Sequence, residues 1–103
     1  MTEAAGPHPI SVEGSAALTS ESSEVARVWV THNAGSTIWV NASILEDPKV
    51  FGYLVGDMIR SGARVYASTW EMDEGEALRA IVDGVAEELR TEFRNAIQEG
   101  KLD

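Results

Sequence analysis

The chain has no cysteine. That excludes disulfides, thiol nucleophiles and thiolate metal sites, and leaves the redox compartment open. Basic residues are scarce: 8 Lys and Arg stand against 17 Asp and Glu, for a net charge of −9 over 103 residues. Nucleic acid and anionic membrane surfaces both call for a basic face, so neither is expected as a partner. No run approaches the ~20 apolar residues of a membrane span. The N-terminus has neither a basic n-region nor a continuous apolar stretch, so it does not read as a secretory signal, and a cytoplasmic location is the default expectation.

Charge is unevenly distributed. Residues 24–70 hold four acids (Glu24, Glu46, Asp47, Asp57) and four bases (Arg27, Lys49, Arg60, Arg64), while residues 71–103 hold ten acids and four bases. The acidic C-terminal helix therefore reads as a solubilising surface or as a docking face for a basic protein. Residues 1–23 are small, polar and acidic, and contain Gly6, Pro7, Pro9 and Gly14. They have little to bury and are expected to be a disordered tail. Residues 24–99 are expected to form a single α+β domain, with residues 100–103 as a C-terminal tail.

Two tryptophans bracket a short glycine turn. Val25–Thr31 and Thr37–Ile44 are rich in β-branched and aromatic residues and are joined by His32-Asn33-Ala34-Gly35-Ser36. This predicts a β-hairpin. Val28 and Val30 share a face with Ile38, Val40, Ala42 and Ile44, and that aliphatic face is expected to be core. A three-residue loop Asn33-Ala34-Gly35 would pair Trp29 with Trp39 and place Gly35 in the left-handed conformation of a G1 bulge. The opposite face then carries Arg27, Trp29, Thr31, Thr37, Trp39, Asn41 and Ser43.

Two amphipathic helices follow. Asp47 and Pro48 are an N-cap and first-turn proline. Phe51, Leu54, Val55, Met58, Ile59, Gly62, Val65 and Tyr66 recur at helical spacing. Gly52, Gly56 and Gly62 suggest either close approach by another backbone or permissive surface positions. A break is expected near Ser68–Met72. Asp73 with Glu76 resembles a capping box. Leu78, Ile81, Val82, Val85, Leu89, Phe93 and Ile97 form the second stripe, with Gly100 as the stop. The predicted order is ββαα. A lone hairpin with an exposed tryptophan patch and unpaired edges is marginal in water, so a homodimer completing the sheet or the helix packing is expected.

Catalytic chemistry is not visible. His32 lies at a turn, no His/Asp/Glu set has metal-ligand spacing, and no general base stands beside Ser36, Ser43, Ser61 or Ser68. The paired carboxylates Glu46–Asp47 and Asp73–Glu74 sit at helix starts, where capping accounts for them. No phosphate-binding loop is present, and no cofactor or metal is expected. The tryptophan face supplies the site candidates: Arg27, Trp29, Thr31, Trp39 and Asn41. They serve as a dimer seam, as the floor under the second helix in a monomer, or as a small-molecule platform, which a dimer-interface cavity could also provide.

The segments Val25-Ala26-Arg27-Val28-Trp29, Glu46-Asp47-Pro48 through Met58, Ala63-Arg64-Val65-Tyr66-Ala67 and Glu76-Ala77-Leu78 resemble a family of short, mostly alphaproteobacterial proteins known as a domain of unknown function. The resemblance spans roughly residues 24–95. It implies a small α+β domain in a bacterial cytoplasm, and supplies no activity, cofactor or catalytic residue. A non-catalytic interaction module is the leading expectation.

Overall fold

The computed structural model describes residues 8–101. The expected order is found: β1 (Ala26–Thr31), β2 (Gly35–Val40), α1 (Pro48–Trp70) and α2 (Glu74–Gln98). The chain divides between Ile44 and Leu45 into two compact units.

The first unit is a two-stranded antiparallel sheet preceded by an irregular stretch. Residues 8–23 form local turns, such as Ser22 N–H donating to Thr19 O at 3.0 Å, and no helix or strand. Residues 1–7 of the expected tail, and Leu102 and Asp103, lie outside the described residues. The expected faces of the hairpin are kept, but the pairing is not. Trp29 lies opposite Thr37 and Trp39 opposite Arg27, with Val28 facing Ile38. The turn is centred one residue earlier than predicted. Ala34 N–H donates to Thr31 O at 2.9 Å, and Asn33 adopts φ 64°. Asparagine tolerates this left-handed conformation, so the turn need not wait for glycine. Gly35 is left-handed too, at φ 83°, but it pairs with Thr31 instead of ending the loop. A two-residue slip moves no side chain to the other face, so the apolar pattern alone could not decide between the two registers.

The second strand is also shorter than predicted. It ends at Val40, and Ala42–Ile44 form a turn of 3-10 helix. Ser43 Oγ donates to Asn41 Oδ1 at 2.6 Å. Short polar side chains of this kind offer local bonds that compete with a ladder. The aliphatic face is exposed, not core: Val28 is 55 %, Val30 81 % and Ile38 56 % exposed. The hairpin unit has no second layer of its own to cover that face.

The second unit is a helical hairpin. Asp47 caps α1 by accepting from Lys49 N–H at 2.9 Å, with Pro48 at the first helical position. The helix ends on Glu71, left-handed at φ 53°, and Met72 N–H closes back to Ala67 O at 3.2 Å. This is a Schellman-type stop built without glycine. Asp73 starts α2, accepting from Glu76 N–H at 3.0 Å. Gly100, at φ 78°, ends it: its N–H reaches Ile97 O at 3.1 Å, and Lys101 N–H reaches Ala96 O at 2.9 Å. Both donors of the Schellman motif are thus in place.

The two helices meet through small residues. Ala63 and Ala77 are the buried core among the described residues, at 1 % and 2 % exposure. Phe51, Leu54, Val55, Ile59, Ile81 and Val85 are half-buried along the same two helices. The predicted stripes are broader than this seam. Met58, Val65 and Tyr66 on α1 and Leu78, Val82, Leu89, Phe93 and Ile97 on α2 remain exposed. Of the helix glycines expected at a close approach, Gly52 and Gly56 have nothing within 4 Å of a built Cβ. Gly62 would only meet Ile81 Cδ1 at 3.8 Å.

Candidate functional site

Strand alternation builds the site. Arg27, Trp29 and Thr31 point to one side of β1, and β2 sets Trp39 and Thr37 opposite them. Asn41 follows, tied to the ladder by its N–H donating to Val25 O at 2.7 Å. All five candidates (Arg27, Trp29, Thr31, Trp39 and Asn41) line one open groove of about 1140 Å³. Trp29 is half-buried, whereas Trp39 is 59 % exposed. The two indoles lie two positions apart in register and do not form the directly opposed pair the sequence suggested.

The groove has one strong polar feature. Glu24 accepts both Arg27 Nη2, at 2.6 Å, and Arg27 Nε, at 3.2 Å. This two-pronged bond holds the Glu24 carboxyl below its ordinary range and raises the Arg27 guanidinium. The pair is exposed to water, so it orients the guanidinium more than it stabilises the fold. Glu24 was not among the residues singled out from the sequence, although an acid three residues before an arginine at a strand start was a readable signal. His32, read as a turn residue, and His8, from the expected tail, also line the groove. No general base stands in hydrogen-bond contact with a nucleophile among these residues. No group of His, Asp and Glu able to hold a metal is found among the described residues.

The helical unit has a smaller apolar notch of about 410 Å³ where α1 hands over to α2, lined by Tyr66, Trp70, Met72, Ala77, Ala80 and Ile81. Among the described residues, no helix is long and apolar enough to cross a membrane.

Comparison with known proteins places this architecture. Residues 14–92 match the family model of a domain of unknown function (DUF5076). The chain belongs to the DUF5076 family. The matched span takes in the hairpin, all of α1 and most of α2, so every lining residue of the groove except His8 lies within the family's domain. A solved structure from the photosynthetic bacterium Rhodopseudomonas palustrus CGA009, provisionally named a pyruvate dehydrogenase, is similar to this DUF5076 chain. The identity is 32 %, the TM-score 0.62, and the match covers 84 % of this chain and 87 % of that one. No curated protein matches the chain.

Proposed function

We propose that this DUF5076 chain is a non-catalytic interaction module of the bacterial cytoplasm that works as a homodimer. The observation that carries the reading is the amount of large apolar surface left in water. Val30 is 81 % exposed and Trp39 59 % in the hairpin unit, and Phe93 is 55 % and Ile97 61 % in the helical unit. Only two alanines are buried among the described residues. Exposed apolar side chains grouped on one face, as Val28, Val30 and Ile38 are on the hairpin and Leu89, Phe93 and Ile97 are on α2, mark an interface, and a second copy of the same chain offers the same surfaces in equal number. The provisional name of the solved relative brings no residue role to this chain. Light scattering behind size exclusion tests the proposal. The expected result is a mass twice the 11.1 kDa of the chain, constant on dilution. A mass of one chain at every concentration refutes it.

A second reading rests on the groove itself. Two indoles and several hydrogen-bonding side chains along one 1140 Å³ opening would suit a flat small molecule. Such a ligand would change tryptophan fluorescence while leaving the mass unchanged.

A further inference from the structure

Among the described residues no further strand or backbone hydrogen bond covers the hairpin's outer edges, and their geometry is determined. Asn41 N–H bonds Val25 O, and the ladder alternates from there. Arg27, Trp29 and Thr31 therefore exchange hydrogen bonds with Trp39, Thr37 and Gly35. Ala26, Val28 and Val30 aim their N–H and C=O groups outward from β1. Natural edge strands are guarded by lysine, proline or a bulge, and β1, Ala-Arg-Val-Trp-Val-Thr, has none of these. Its single charge, Arg27, points to the tryptophan face and is oriented there by Glu24.

We propose that β1 pairs antiparallel with β1 of a second copy, about a two-fold axis at Val28, to form a four-stranded sheet in the order β2-β1-β1-β2. This deepens the homodimer reading and rests on it. Parity confines the bonding to the outward-facing Ala26, Val28 and Val30, and a centre at Val28 is the one that pairs all three. Ala26 then opposes Val30 of the second copy, and the aliphatic face runs unbroken across the seam. On the other face Arg27 opposes Trp29 of the second copy. Arg27 already has Trp39 opposite it within its own hairpin. Its guanidinium thus falls in a row between two indoles, and the two-fold axis makes that row twice. Arginine against an indole face is the strongest of the common cation–π pairings. Cross-strand pairs of this kind are what stabilise a sheet.

The same arrangement argues for a second copy over a different strand, because β1 is its own complement. Pairing through β2 about Ile38 would set Thr37 against Trp39 and Ser36 against Val40, with no cation facing an indole. Charge favours the same meeting point: residues 24–70 balance four acids with four bases, whereas residues 71–103 hold ten acids against four bases. Like-charged surfaces resist approach, and the strands carry no such burden.

The absence of native cysteine allows a clean test. In a bonded antiparallel pair the Cα atoms are about 5.5 Å apart, within the span of a disulfide. Under mild oxidation Val28→Cys is expected to yield the covalent dimer as its main species, and Ile38→Cys to remain a single chain on a non-reducing gel. Ala26→Cys mixed with Val30→Cys is expected to cross-link, with neither doing so alone; this mixture decides the matter if Val28→Cys does not fold. A wild-type dimer by mass in which the Ala26/Val30 mixture fails, or in which Ile38→Cys cross-links instead, overturns the β1 edge and leaves self-association standing. A wild-type chain that is monomeric throughout removes both.

Discussion

The two units solve the same problem differently. The helical unit satisfies itself locally: both helices carry an aspartate at the N-cap, both end in a left-handed closure, and two alanines seal the seam. The hairpin unit has a complete ladder and a well-formed turn, yet none of its described residues is buried. The comparison separates two sources of order. Backbone chemistry at the ends of elements shapes both units, but burial supports only one of them.

The largest expected effect on this contrast comes from the seam. Ala63→Leu forces bulk into the most buried position of the α1–α2 seam and should cost about 1–3 kcal/mol. Thermal unfolding followed by helical circular dichroism checks it; an unchanged midpoint would show the seam to be loose. The helix junction comes next, with two changes of opposite sign. Asp73→Ala removes the cap of α2 and should cost about 1 kcal/mol. Glu71→Gly removes the strain of a side chain at φ 53° and should stabilise the unit by roughly 1 kcal/mol. Denaturant midpoints of the two variants should fall on either side of the parent.

The smallest effect is electrostatic and belongs to the hairpin. The Arg27 guanidinium lowers the Glu24 carboxyl. A lowered carboxylate contributes stability above its ordinary range and loses it as pH falls through the lowered value. In Arg27→Gln the Glu24 titration, followed by NMR, should return upward to an ordinary carboxylate midpoint. A Glu24 midpoint that does not move would show that the pair does not persist in solution.

What could be read from the sequence follows the same division. Asp47-Pro48, Asp73-x-x-Glu76 and Gly100 act through neighbouring backbone groups, and each marked its helix end where the structure has it. The five candidates share one face because strand alternation fixes faces without reference to anything distant, while the groove they line also takes in Ala26, Val30 and Val40 of the other face. The register was not decidable, because a slip of two residues preserves both faces and only the conformation of Asn33 chooses between them. The helix seam was hidden for another reason. Large apolar residues dominate a periodic pattern, but the closest packing falls on Ala63 and Ala77, whose value lies in having little side chain. Glu24 and His8 were missed because they reach the groove from outside the strands.

A two-stranded sheet has a second open edge, and that edge gives it a direction of growth. Joining two hairpins through β1 would leave β2 outermost at both ends of the four-stranded sheet. A third chain could add there only by β2 meeting β2, a pairing that sets Thr37 against Trp39 and brings no cation across the seam. Each further chain would also bring a charge of −9, and a highly charged assembly resists new members. That brake is ionic and weakens as salt screens it. The acidity that reads as a solubilising coat on one chain would, for a pair of them, hold off a third.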